Sequence, residues 1–426
     1  MTHQDAERCL LCRNARCQTA CPIHTPIPQI IDLYRSGNRM EEAGKLLFDN
    51  NPLSAVTSQV CNWQNACFGH CILNAKKQPI HFYEIEQEIS CSYLQSATPE
   101  REPDNGIGIA VIGGGSAGIT AAILLAEKGY RVSLYEKQKQ LGGVLRYGIP
   151  EFRLDKKYID RYESILLDMQ VNIHTNAVCG KDYTPKSLLA DGNKAVFIAL
   201  GAETPSALRI PGEDRPSVIY AIDYLKKPNA YSLGRKVIVI GGGNVAMDAC
   251  RTAARNGADT WVYYRKTFEN MPANGNEVEE AKADGVQFAV FEAPVEVKEH
   301  SVIFRKCENI TDENGKLKTR IIPETDHEVE CDTLIVAVSE RTDRDLLASL
   351  DLKLNEWGCI DTDTDGRTSM EGVYASGDSV YGPSTVIQAA AGAKKASEAI
   401  DAYCSIERKG NNEWTNCRKQ EKKLTR

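Results

Sequence analysis

The sequence predicts an α/β protein: a helical, cysteine-rich N-terminal domain followed by two Rossmann-like domains. Three observations predict it. Eight cysteines fall within the first 91 residues. A strand–IGGG–helix motif occurs twice, at Gly113 and at Gly241. From residue 107 onward short apolar strands alternate with helical stretches, the texture of a layered α/β sheet. The chain of 426 residues is long enough for roughly two to four domains with proper cores.

The elements follow in order. IPQIIDLYRSG and EEAGKLLF space their apolar residues as helices do. The start, MTHQDAERC, has no apolar h-region, so no secretory signal is expected and a cytoplasmic, reducing location is. SATPEREPDNG, 96 to 106, reads as a polar linker. Residues 107–126 carry no charge, but the three consecutive glycines Gly113, Gly114 and Gly115 make a buried strand, turn and helix the simpler reading than a membrane span. The repeat is explicit: GIAVIGGGSAGITAAILLAEKGYRVSLYEK (108–137) and KVIVIGGGNVAMDACRTAARNGADTWVYYRK (236–266) share strand, glycine turn, helix and second strand. AVFIALGAE (195–203) and CDTLIVAVSE (331–340) read as buried strands, and 294–331 as an antiparallel meander. The segment 405–426 is polar and basic, a solvated tail. A net charge of −7 offers no global basic footprint, so nucleic acid is not an expected partner.

Each glycine turn sits in the context a dinucleotide site requires. Gly113 and Gly241 permit the tight turn, and Gly115 and Gly243 let a pyrophosphate approach the backbone. Gly118 and Ala246 allow close helix–strand packing. Ser116, Ala117, Asn244 and Val245 open the two helices, whose N-termini attract a diphosphate. The copies diverge at the end of the second strand. Glu136 can accept from a ribose diol, as FAD or NAD presents. Arg265 and Lys266 can instead pair with a 2′-phosphate, which favours NADP(H) over NAD(H); a merely solvated strand end is the other reading. Two such sites imply hydride transfer between a nicotinamide and a flavin. VYASGDSVYGPSTVIQAAAG, 373–392, supports the flavin: Gly377 and Asp378 can meet the ribityl chain, and a helix beginning near Ser384, with Thr385 and Val386 in its first turn, can stabilise negative charge on a reduced flavin.

The cysteines are spaced C-x2-C-x4-C-x3-C-P at Cys9, Cys12, Cys17 and Cys21, and C-x5-C-x3-C at Cys61, Cys67 and Cys71. Seven thiolates exceed one tetrahedral zinc site. Two [4Fe–4S] clusters need eight ligands, and a cysteine beside proline commonly serves a second cluster. The eighth candidate is Glu86, Gln87 or Cys91, and ligand frequency alone favours Cys91. Structural zinc is the main alternative, with His70 a possible ligand; a thioredoxin-like Cys9/Cys12 pair lacks the βαβ context. Cys179, Cys250, Cys307, Cys331, Cys359 and Cys404 are scattered, and no CxxC or CxxxxC falls between 105 and 404, which argues against a flavin disulfide reductase.

GGGSAG with Glu136, LGGVLRYGIPEFRL (141–154), GGGNVAMD (241–248), NMPA (270–273) and ASGD (375–378) together resemble the glutamate synthase small-subunit family, which includes the N-terminal flavoprotein part of dihydropyrimidine dehydrogenase. The resemblance implies a 4Fe–4S domain (1–104), an FAD domain in two parts (105–216 and 331–404) and an inserted NAD(P)H domain (217–330). Gly143, Arg146 and Gly201 join the cofactor-binding candidates. It also implies interleaved ligands: Cys9, Cys12, Cys17 and Cys71 for one cluster, and Cys21, Cys61, Cys67 and Glu86 for the other, with Glu86 supplied by Pro79–Glu86. Electrons would pass to a catalytic partner subunit, of glutamate synthase large-subunit or dihydropyrimidine dehydrogenase type, or to a ferredoxin-like acceptor. Two positions depart from the family. Relatives carry an arginine after MPA where this chain reads Ala273-Asn274-Gly275-Asn276, and Ser339 stands where a glycine-containing turn is usual. A stand-alone NAD(P)H:acceptor flavoprotein with a zinc-binding N-terminal domain is the alternative function.

Overall fold

The computed structural model describes residues 2–311, 313 and 317–424, without the side chains of 317 and 406–424. It divides into two compact units: Met1–Leu145, Arg153–Ala202 and Thr342–Arg426 form one, and Arg146–Phe152 with Glu203–Arg341 the other.

In the first unit, the cysteine-rich region is helical, with helices Thr2–Arg8, Arg16–Ala20, Ile27–Arg35, Met40–Asn50, Ser54–Val60 and Phe82–Ser96. Apolar spacing turns Ile27, Ile30, Ile31 and Tyr34 inward to meet Leu47, Ile85 and Ile89, and Cys9, Cys17, Cys67 and Cys71 border that core. Beyond the linker lies a five-stranded parallel sheet in the order 373–375, 193–198, 108–112, 131–135, 172–174. The uncharged 107–126 stretch is the strand Gly108–Ile112, a glycine turn and the buried helix Ser116–Glu127. Among the described residues no helix is long and apolar enough to cross a membrane.

The second unit repeats the plan, with parallel strands ordered 218–220, 333–336, 236–240, 259–264, 287–290. The expected meander is present as Glu292–Val297, Ser301–Thr311, Leu317–Ile321 and His327–Glu330, all antiparallel. One element differs from the sequence reading. The helix Val386–Leu424 runs on through the segment expected to be a tail, in a stretch rich in Glu, Lys and Arg with no proline to stop it; its side chains from 406 on lie outside the described residues.

Candidate functional site

In the first unit the glycine turn lies at the carboxyl end of the strand Gly108–Ile112, where open α/β sheets take their ligands. Gly113 has φ +100°, and a Cβ there would stand 2.2 Å from the Ala199 carbonyl oxygen. Gly115 caps the helix Ser116–Glu127 without any side-chain hydrogen bond, leaving first-turn N–H groups for a ligand. A Cβ on Gly115 would come 3.8 Å from Cα of Gly143, itself at φ +50°, so both walls of the cradle are bare backbone. Ser116 and Ala117 are buried in the helix's first turn. Glu136 is buried; its Oε2 accepts from Gly114 N–H at 2.7 Å and its Oε1 from Gln138 N–H at 2.8 Å. The carboxylate is thereby fixed beside the turn, an acceptor of the kind hydroxyl donors seek. Gly201, at φ +74°, follows the neighbouring strand.

Beyond the strand Val373–Ala375, Gly377 (φ +71°) turns the chain into Asp378. Burial pushes the Asp378 carboxyl up, while its Oδ1 accepts from Ser384 N–H at 3.1 Å and Ser384 Oγ–H at 2.7 Å. Thr385 Oγ donates to Gln388 Oε1 at 2.8 Å, and Val386 begins the long helix, two residues later than expected. Arg146 starts the short segment that belongs to the second unit.

In the second unit Gly241 has φ +149°, and its Cβ would lie 2.2 Å from the Ala337 carbonyl oxygen. Gly243 caps the helix Asn244–Arg255, with Val245 and Ala246 in its first turn. The NMPA segment folds over this turn, which sequence reasoning did not foresee. Ala273 N–H donates to Gly242 O at 3.0 Å, Asn274 N–H donates to Asn244 Oδ1 at 2.9 Å, and the Tyr264 hydroxyl donates to Asn270 O at 2.8 Å. Asn244 thus spends its side-chain oxygen on holding the loop. Arg265 is exposed and Lys266 half-buried, and neither forms an ion pair among the described residues.

The cysteines divide into two sets. Cys9 and Cys17 are within electrostatic reach of each other and of Cys71, and Cys9 also of Cys12. These four line a surface cavity of about 630 Å³, counting its open mouth, and the buried Cys67 of the other set reaches its wall. Cys67 and Cys61 are each near Cys21 and Glu86. Burial pushes the Cys17 thiol up to about 11, Cys61 up to about 12 and Cys67 well above the usual thiol range, and neighbouring anionic groups add to the shift. Burial alone pushes Glu86 up to about 8. So many crowded, half-buried anions need a cationic centre to ionise together, which is what an iron–sulfide core supplies. Among the described residues no three such side chains converge as the ligands of a single ion do; cubane ligands each bind a different iron and stand apart.

Cys91 faces elsewhere. It lies five residues beyond Glu86 on the helix Phe82–Ser96, about 140° around its axis. Its sulfur meets Gln59 Nε2 and Ala55 O, both at 3.8 Å, and the Tyr158 hydroxyl. The His70 ring contacts the Ala66 carbonyl oxygen through Nδ1 at 2.9 Å. Cys179, Cys250, Cys307, Cys331, Cys359 and Cys404 are buried.

The two regions of the first unit meet at the second cysteine set. Cys21 and Cys61 pack with Ile23 against Ile387, Ala390 and Ala391 at the start of the long helix. One turn on, Lys394 Nζ donates to Asn50 O at 3.0 Å and Asn50 Oδ1 at 2.8 Å, and Asn50 Nδ2 donates to Ile23 O at 3.4 Å. This lysine ties the Cys21 loop to the helix that begins beside Asp378. Nothing in the periodicity of either segment pointed to it.

Two parallel-sheet nucleotide domains, one interrupting the other, behind a cysteine-bearing helical domain define an NAD(P)H-dependent flavoprotein oxidoreductase with a 4Fe–4S domain. Comparison with known proteins agrees. Residues 108–394 match the pyridine nucleotide-disulphide oxidoreductase family, and residues 1–97 match dihydropyrimidine dehydrogenase domain II, 4Fe-4S cluster. Among similar proteins are the glutamate synthase [NADPH] small chains of Azospirillum brasilense (32% identical, over 94% of this chain and 89% of that one) and Escherichia coli K12 (30%, 94% and 91%). The NADPH-Fe(3+) oxidoreductase subunit beta of Geobacter sulfurreducens is 29% identical over 91% of this chain and 63% of its own length. In fold, the chain resembles Mycobacterium tuberculosis FprA in complex with NADPH, with a TM-score of 0.62 at 19% identity over 73% of this chain and 86% of that one. The chain belongs to the glutamate synthase small chain-like family of flavoproteins.

Proposed function

We propose that this chain is an electron-transfer subunit using NADPH, with FAD in the first unit, two [4Fe–4S] clusters in the helical domain and a partner protein that receives the electrons. The observation that carries it is the division of the cysteines into two sets, one packed against the helix that starts beside Asp378 and the other opening to the surface. In order from the flavin, Cys21, Cys61, Cys67 and Glu86 hold the inner cluster, and Cys9, Cys12, Cys17 and Cys71 the outer one. When bound, FAD accepts a hydride from NADPH and releases electrons singly to the clusters. The protein's part is placement. The first turn of Ser116–Glu127 receives the diphosphate, Glu136 the ribose diol, and Asp378 with the Val386 helix end the ribityl and ring side. Several relatives are subunits by name, which supports a partner here too.

The test is the composition of anaerobically purified protein. About eight irons, as many acid-labile sulfides and one FAD per chain are expected for two cubanes and a flavin; zinc without sulfide would overturn the reading.

Nucleotide choice rests on Arg265 and Lys266. Charge-assisted bonds contribute about 1.5–3 kcal/mol, so Arg265→Gln with Lys266→Gln should raise KM for NADPH by ~10- to 100-fold and leave NADH turnover as it was. An unchanged NADPH/NADH ratio would make these residues a solvated strand end.

A further inference from the structure

The mouth of the outer cysteine set carries an unusual combination of side chains. Leu10 is 61% exposed and Ile72 50% exposed, each next in sequence to a cysteine of that set, and both line the same cavity mouth. Around them stand exposed cations: Arg13, between Cys12 and the lining residue Asn14; Arg16, which lines the mouth itself; and Lys76 and Lys77, which close the short turn begun at Ile72. None of these four cations forms an ion pair among the described residues. The nearby carboxylates are engaged: Asp5 is buried against His81 and Arg8, and Glu7 pairs with Arg35. The Arg8 guanidinium also bonds the Gln78 carbonyl, which sets the end of the first helix beside Lys77 and adds a further cation there.

A cationic face on a chain of net charge −7 is a local device. Four unpaired cations around two exposed aliphatic side chains give long-range attraction to an anionic surface and a small dry centre for close approach. We infer that this face is the docking surface for a one-electron carrier protein whose own redox centre is ringed by Asp and Glu. The inference rests on the proposed function, because the face matters for electron exit only if the outer cysteine set holds a cluster. The stoichiometry is then simple: each NADPH oxidised reduces two carriers by one electron each and releases one proton.

The experiment uses the holoprotein with an acidic plant-type [2Fe–2S] ferredoxin as probe. Iron and flavin contents are measured first, and their absence would overturn the proposed function. Binding to the immobilised ferredoxin is then measured directly, independent of turnover, alongside its reduction by NADPH. We expect saturable binding that weakens as salt rises from 0.05 to about 0.5 M, as screening of opposed charges requires. The double variant Arg13→Glu with Lys76→Glu should lose at least ~10-fold in affinity and in kcat/KM for the ferredoxin. Reduction of menadione, a neutral acceptor, should be unchanged, as should iron content. Leu10→Ser should weaken binding without altering its salt dependence. A protein that holds iron and flavin but binds the ferredoxin no better than the charge-reversed variant, or that prefers basic cytochrome c, would overturn the docking surface alone.

Discussion

Glu86→Ala should leave the protein with about four irons instead of about eight, while Cys91→Ala should retain them all. The contrast follows from one helix. Ile85 and Ile89 are fully buried in the domain core and fix the rotation of Phe82–Ser96, so Glu86 faces Cys61 and Cys67 while Cys91 faces Gln59 and Tyr158. A cysteine in the wrong quadrant cannot substitute for a carboxylate in the right one without rewinding the helix. The lost cluster should be the inner one, so delivery to a ferredoxin acceptor should fall to background while flavin-level menadione reduction persists. The helices themselves should stay packed, since each buried Ile or Leu of the core contributes about 1.5–3 kcal/mol that does not depend on iron. Iron analysis and low-temperature electron paramagnetic resonance distinguish the outcomes. Loss of iron from Cys91→Ala instead would reverse the assignment, and Glu86→Cys should restore the second cluster with an altered potential.

The Glu86/Cys91 pair also marks where the sequence stops being readable. Glycine turns, strand ends and the Glu136-to-Arg265 contrast are local, and local chemistry is written in consecutive residues, so the two sheets and the positions of their glycine turns could be read directly. The meander could be read for the same reason. Which face of a helix meets which partner is not local: ligand frequency pointed to Cys91 and the family resemblance to Glu86, and neither says which way the helix turns until the core fixes its rotation. The Lys394–Asn50–Ile23 link joins segments 344 residues apart and leaves no periodic trace. The NMPA loop was legible as a motif, but its fold over Gly242 depends on Asn244 and Tyr264 reaching across from other elements. Even the missing arginine there has a structural counterpart, since Asn274 is buried and begins the helix Gly275–Ala283.

Gly118→Ala should strip the protein of its flavin, although alanine serves at the matching place in the second unit. The two turns differ in how closely the helix approaches the strand. A Cβ at Gly118 would lie 1.7 Å from the carbonyl oxygen of Gly113, a backbone atom held by the turn and unable to yield as a flexible side chain does. Ala246, by contrast, is fully buried without conflict, its Cβ 3.3 Å from where a Cβ on Gly241 would stand. The added methyl in the first unit must therefore push the helix Ser116–Glu127 away from Gly113–Gly115 and misalign the N–H groups that face the diphosphate. Overpacking of this kind costs about 1–3 kcal/mol, enough for at least ~10-fold weaker FAD retention. Ala246→Gly should spare NADPH binding and lower stability by only about 1 kcal/mol, the helix-propensity difference. The measurement is the ratio of flavin to protein after gel filtration, with iron as the internal control. A Gly118→Ala protein that keeps both full flavin and full iron would mean that the first turn relaxes as readily as the second, and that the close approach at Gly113 is not what holds the dinucleotide.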